Sequence, residues 1–402
     1  MLWKKTGKFW TGGLAAISFA VLACVLGCGD RNQESMKVRE AVSQTKDDTA
    51  AMEKICLDLY KKAAQEQRLG ELETIRAIVQ RFGEYGYPAV DSKNQVNMTE
   101  AEQVVRFCEA VEKQETAVLT VFEIDDRGGF VKYDLQTAGT GVEVQRSYYQ
   151  YKNKVFQRRT AECYRAEEWK YTKEGYLMFS GTHFSKERYA LTLSTAKKHT
   201  ALRVAPLDET YREWNREYIL PVGYAYNNMF LTDWNEDDFG ELNFYDMYDI
   251  FYEHLYRKSN PYTNNKNVGI SEAYKIPRAE FEQVLTSYFA IDGKTLQSKT
   301  VYCQETGSYE YIPRGIEEAE YPEYPYPEVF DFTENDDGTI TLFVRAVFPY
   351  VGDSCVYVHE VVVRPLENGG VQYVSNRITN WGENGGAVWH TPRRTPGGQE
   401  AG

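Results

Sequence analysis

The spacing of hydrophobic positions changes several times along the chain, and each change predicts a different element. Met52, Ile55, Cys56, Leu59, Tyr60 and Ala63 recur every three to four residues, the period of one helix face. Gly70 is expected to break that helix. Leu72, Ile75, Val79 and Phe82 then continue a stripe, with Gly83 placed as a C-cap candidate. Thr99-Glu100-Ala101-Glu102 reads as a capping box ahead of a helix that buries Val104, Val105, Cys108 and Val111.

From about residue 117 the period falls to two. "AVLTVFEI" and "FVKYDLQT", separated by "DDRGG", predict a hairpin. "VEVQRSYYQYK", "VFQRRTAECYR", "EWKYT", "YLMFSGTHF" and "RYALTLS" extend it into a curved or barrel-like meander of six or seven strands. Helices return after Pro206. Asn243 is placed to cap one that carries Phe244, Tyr248, Phe251 and Leu255. "KSNPYTNNKNV" then interrupts the pattern over 258–268. Pro277 suits the first turn of a helix that buries Phe281, Val284, Leu285 and Tyr288. Two hairpins follow, turned by Asn335-Asp336-Asp337-Gly338 and Glu367-Asn368-Gly369-Gly370.

The fold class expected is α+β. N-terminal helices and an antiparallel meander fill 51–258, and a helix with an antiparallel sheet, of cystatin-like or NTF2-like form, fills 269–390. Residues 391–402 read as a disordered tail.

The first 27 residues follow a different grammar. Lys4, Lys5 and Lys8 precede an uncharged run from Phe9 to Gly27, and polar sequence begins at Gly29. A basic start, an apolar stretch and small residues at its end describe an export signal. "VLGC" ending at Cys28 resembles the lipobox of bacterial lipoproteins, in which the cysteine takes a diacylglyceryl group and becomes the mature N-terminus. "VLAC" ending at Cys24 fits the same pattern, but cutting there would leave Val25 and Leu26 at the new terminus, so Cys28 is preferred. The alternative is an uncleaved anchor, for which the run is barely long enough. Both readings place the remainder outside the cytoplasm, with residues 28–50 as a tether.

Charge and cysteine content narrow the functions. The formal net charge of −13 argues against nucleic-acid partners and against a polybasic hold on anionic lipid, which leaves the lipid as the means of attachment. Cys56, Cys108, Cys163, Cys303 and Cys355 are too widely spaced for a disulfide framework or a zinc ribbon. Buried reduced thiols are expected, and if one bridge forms Cys303–Cys355 is the pairing chosen, because both lie in predicted strands.

Three motifs carry candidate chemistry. Asp233, Asn235 and Asp237 have the alternate-oxygen spacing of a calcium loop, although Asp238 and Phe244 stand where an EF-hand needs glycine and glutamate. The bland reading is an acidic loop before a helix N-terminus. Tyr321, Tyr324 and Tyr326, interleaved with prolines, suit an aromatic ledge for a glycan or peptide, or a stiff connector. His359-Glu360 lies in a predicted strand, so the two side chains point to opposite faces. There is no His-Glu-x-x-His, no Gly-x-Ser-x-Gly, no phosphate-binding loop and no dinucleotide fingerprint, and no catalytic residue is assigned.

"VLGCGD", Val90–Val111, Leu220–Trp234 and Val329–Pro349 together resemble a family of uncharacterised Gram-positive lipoproteins that carry a domain of unknown function. The resemblance implies a lipid-anchored, extracytoplasmic protein and brings no reaction with it. A non-catalytic binding or accessory role is the leading expectation, and a cell-envelope or glycan hydrolase is the alternative.

Overall fold

The computed structural model describes residues 49–139, 141–184, 189–190, 196–263, 273–315, 318, 323–382 and 386–396. Cys28, the export signal and most of the tether lie outside this range. By contacts the chain divides into Met1–Lys54 and Ile55–Gly402. The expected break at 258–268 falls inside the second unit.

Helix α1 spans 49–65, and α2 spans Leu72–Glu84. Gly83 lies inside α2 and is not its cap. A Cβ there would stand 2.7 Å from the Thr99 side chain, so the glycine admits a close neighbour. The expected capping box also fails. Thr99 turns its hydroxyl to the Tyr87 carbonyl and accepts from the Ala89 N–H, while Glu100, at φ 50°, starts α3 (Ala101–Glu112) with no side-chain cap. Thr99 is bridged to β1 (Ala89–Asp91), and that pairing takes the group the cap would need.

Among the described residues the meander has seven strands, which fall into two sheets and not one barrel. β2 (Thr116–Ile124), β3 (Gly129–Ala138), β4 (Val142–Lys152) and β5 (Val155–Arg165) pair antiparallel in sequence, and β1 adds a parallel edge to β2. β6 (Glu168–Tyr171), β7 (Tyr176–His183) and β8 (Ala196–Arg203) make a separate three-stranded sheet. The last strand falls later than the expected "RYALTLS", most of which is outside the described residues. Helices α1 and α2 cover the first sheet through aromatic contacts. Phe82 stacks on Phe122 at 4.2 Å, and Tyr60 meets Phe156 at 4.8 Å.

The C-terminal half opens with α4 (Glu209–Trp214), which runs into a π-helical turn at Asn215–Ile219. β9 (Trp234–Asn235) and α5 (Phe244–Tyr256) follow, and Asn243 caps α5 by accepting from the Tyr245 and Asp246 N–H groups, as the sequence predicts. α6 (Arg278–Thr286) and α7 (Gly293–Lys299) come next. A small sheet of β10 (Tyr274–Pro277), β12 (Ser308–Tyr311) and β11 (Tyr302–Cys303) surrounds them in sequence.

The two expected hairpins appear as β13 (Tyr326–Glu334), β14 (Ile340–Phe348), β15 (Asp353–Pro365) and β16 (Val371–Trp381). β9 joins them as a fifth strand on β16. One aromatic core runs between this sheet and α5 and α6. Phe251 stacks on Tyr288 at 4.1 Å, and Tyr248 on Phe281 at 5.0 Å.

Polar side chains bridge the two halves of the sequence. Glu328 on β13 is fully buried. It accepts from Arg203 of β8 at 2.9 Å, from Asn94 at 2.5 Å and from the Tyr176 hydroxyl, and Arg345 pairs with it at 3.1 Å. Arg212 of α4 donates to the Asn94 carbonyl at 2.9 Å and to its side-chain oxygen at 3.1 Å. Every oxygen of Glu328 is engaged, which is the condition under which a buried carboxylate is tolerated.

Candidate functional site

The fold presents an open depression of about 530 Å³ at the outer end of β16. Leu231, Ile378 and Trp381 supply its apolar wall, and Asp233 and Glu241 are the carboxylates on its lining. Trp381 is held from behind by Tyr357, stacked at 4.8 Å. The loop that forms the opposite side is pinned along its length. Asn228 donates to the Glu241 carbonyl at 2.7 Å and accepts from the Asn243 N–H at 2.9 Å, so the residue that caps α5 also closes the loop. Trp234 donates to the Met229 carbonyl at 2.8 Å. Glu236 makes a two-point pair with Arg364 of β15 at 2.7 and 3.0 Å. Gly240, at φ 48°, lets the chain turn where a Cβ would come within 2.7 Å of the Asp233 carbonyl oxygen.

The calcium candidates do not converge on one point. Asp233 accepts from the Ile378 N–H at 2.7 Å. Asn235 accepts from the Asp237 and Asp238 N–H groups, each at 2.9 Å. The side-chain oxygens of this stretch thus build turns and dock it on β16. Among the described residues, no group of three or more His, Cys, Asp or Glu is arranged to hold a metal.

The tyrosine series is divided. Tyr321 lies outside the described residues. Tyr324 is half-buried and meets Tyr226 edge-on at 5.9 Å, and Arg314 sits 5.8 Å from the Tyr226 ring. Tyr326 belongs to β13 and packs against Tyr176 at 6.4 Å. Its hydroxyl is pushed well above the usual range by burial. Tyr324 and Tyr326 therefore have different neighbours and do not form a shared ledge.

His359 is fully buried on β15. The Tyr224 hydroxyl lies 2.8 Å from Nε2 and Asn376 Oδ1 lies 2.7 Å from Nδ1. The carboxamide oxygen can only accept, so Nδ1 carries the proton and Tyr224 donates to Nε2. Burial lowers the imidazole pKa to about 4, against the Asn376 contact. This is a neutral core histidine with both nitrogens engaged.

A second buried ionic centre lies at the start of α5. Asp246, in the first turn of α5, receives Arg314 at 3.0 and 2.9 Å and Arg393 at 3.1 Å. Arg393 also donates to Asp249 at 2.5 Å and to the Ile312 carbonyl at 2.7 Å. Burial raises the Asp246 pKa in spite of both arginines. The expectation of a disordered tail from residue 391 is corrected at its start, because Arg393 is buried against Asp246 and Asp249 of α5, the Thr391 carbonyl accepts from Arg314, and the Arg394 N–H donates to Glu318. The sequence signal, "TPRRTP", is a polar, proline-flanked run. Nothing in it distinguishes a buried arginine from a solvated one.

The expectation of buried reduced thiols holds in part. Cys56, Cys108, Cys163, Cys303 and Cys355 are all reduced, so the Cys303–Cys355 bridge is not formed, but only Cys56 and Cys108 are buried, while Cys163 is exposed and Cys303 and Cys355 are half-buried. No helix among the described residues is long and apolar enough to cross a membrane.

The architecture is α+β, with mostly antiparallel sheets and helices packed around hydrophobic cores. Residues 42–393 match a family of unknown function, DUF6070, and the chain belongs to that family. No curated protein matches the chain. No solved structure matches it either.

Proposed function

We propose that this chain is a lipid-anchored, extracytoplasmic protein that binds a glycan or peptide partner and does not transform it. The observation that carries the binding role is how the fold uses its ionisable groups. Glu328, Asp246 and His359 are buried and each is engaged by internal partners. The open depression instead offers Trp381, Ile378 and Leu231 on a shallow surface edged by Asp233 and Glu241. An aromatic wall with polar groups beside it suits a ring face or an extended peptide. Support for the anchor comes from "VLGC" at 25–28 and the uncharged run before it.

Quenching of intrinsic tryptophan fluorescence by a panel of cell-wall glycan fragments and short peptides tests the binding role. Binding that weakens at least tenfold in Trp381→Ala, with unchanged folding, supports it. A ligand whose affinity ignores Trp381 removes the depression as the site.

The hydrolase reading retains one favourable feature, since Asp233 and Glu241 line the same depression. Turnover of a cell-wall glycan that disappears in both Asp233→Asn and Glu241→Gln would replace the binding role with catalysis.

A further inference from the structure

We propose that the turn end of the five-stranded sheet, carrying Arg127, Lys152, Lys154, Arg158 and Arg159, is the face on which the protein rests against anionic membrane headgroups. This rests on the lipid-anchored reading above and adds an orientation to it.

The net charge of the chain hides a local excess of the opposite sign. Between residues 146 and 161 there are five cations and no acid, in a protein of net charge −13. The topology gathers these cations. Gly129 pairs with Gln150, and the Tyr151 N–H donates to the Gly128 carbonyl at 3.1 Å. The β2–β3 turn with Arg127 and the β4–β5 turn with Lys152 and Lys154 therefore lie at one end of the sheet. Arg127 and Arg159 both act electrostatically on the Tyr148 hydroxyl. Arg146 pairs with Glu162 at 3.2 Å, whereas Arg127, Lys152, Lys154, Arg158 and Arg159 form no ion pair with a carboxylate among the described residues. The nearby Asp126 is taken by Lys93 at 2.5 Å.

The turn itself is strained in favour of charge. Asn153 and Lys154 link β4 to β5 with φ of 55° and 67°. Two left-handed positions define the tight hairpin turn in which the second residue is ordinarily glycine. A lysine there stores backbone strain, the kind of outlier that points to a use for the side chain. Its neighbour Val155 is 43% exposed, and the half-buried Tyr148 and Tyr151 lie nearby. Cations, tyrosines and an exposed apolar tip form the combination that suits a bilayer interface.

Helix α1 packs against this end of the sheet. Tyr60 of α1 donates to the Gly129 carbonyl and packs on Tyr151 at 5.8 Å. Two acyl chains hold a protein without further help, so the basic end governs orientation more than attachment. The acidic remainder of the chain would be repelled by the same surface.

The test is lysine acetylation, read by mass spectrometry, of the full acylated chain in vesicles of phosphatidylcholine alone or with phosphatidylglycerol. Lys113, at the opposite end of β2, is the control. The expected result is labelling of Lys152 and Lys154 at least threefold slower in the anionic vesicles, restored by 1 M salt, with Lys113 unchanged. Equal labelling in both lipids overturns the proposal. Equal protection by soluble poly(glycerol phosphate) also overturns it, since the patch would then serve wall polymer. Lys154→Gly separates structure from function. It should fold at least as stably and lose part of the lipid-dependent protection of Lys152, whereas full protection in this variant contradicts the proposal. If Cys28 carries no lipid, the anchor fails on its own, and the footprint of chain added to anionic vesicles still decides the patch.

Discussion

Glu328 and Arg203 meet at 2.9 Å in a fully buried position, 125 residues apart in sequence. The contact joins β13 of the C-terminal sheet to β8 of the three-stranded sheet. Asn94, Tyr176 and Arg345 complete it. Removing one member of such a centre leaves the others buried without compensation. Glu328→Gln should lower the unfolding free energy by about 3–5 kcal/mol in urea titration. A loss below about 1 kcal/mol would mean that water reaches the site.

Arg393 makes the corresponding prediction at the other buried centre. Arg393→Ala strips Asp249 and part of Asp246 of their partner and frees residues 391–394. Stability should fall by about 3 kcal/mol, with new protease sensitivity after residue 390. Arg393→Lys should recover only part, because a lysine cannot reproduce the planar fork that reaches Asp246, Asp249 and the Ile312 carbonyl.

His359 gives a pH dependence whose sign is fixed. Its pKa drops from an ordinary 6.5 to about 4 on folding, through burial. The unfolded chain therefore binds a proton that the native chain refuses. The stability this contributes is present above pH 6.5 and is lost as pH falls toward 4, by about 3 kcal/mol in all. Denaturant titrations between pH 7 and 4 should show this slope in the native protein and not in His359→Gln. An imidazole that titrates near pH 6.5 by NMR would contradict it.

The thiols should react in order of exposure. Cys163 is exposed, while Cys56 and Cys108 are buried, and burial pushes the Cys108 thiol up to about 12. Iodoacetamide should label Cys163 in the native protein and reach Cys56 and Cys108 only on unfolding.

The acidic loop at 233–241 should ignore calcium. Its Asp233 and Asn235 oxygens already accept backbone N–H groups. Melting midpoints with calcium and with chelator should coincide, and a rise of several degrees with calcium would show that the loop opens to bind it.

What the sequence disclosed follows from how local each signal is. The helix at Asn243 and the hairpins at Asn335–Gly338 and Glu367–Gly370 are specified by neighbouring residues, and they form where expected. His359 was legible as a strand residue, with Tyr357 and Val361 on its inward face. Thr99 misled because its hydroxyl finds β1 instead of its own helix. Trp234 gave no strand signal, because a two-residue strand exists only through its pairing with β16. The depression at Trp381 and the burial of Arg393 were equally hidden, since each depends on segments more than a hundred residues away. The placement of Asp233 against Ile378, 145 residues on, belongs to the same class.

Membrane attachment depends on what Cys28 carries. Mass spectrometry of the N-terminal tryptic peptide from native, membrane-extracted protein addresses it directly. The result predicted is a peptide of Cys28–Arg31 that begins at the cysteine and carries the mass of a diacylglyceryl group. A chain that keeps Met1, or a Cys28 with no added mass, would contradict the account.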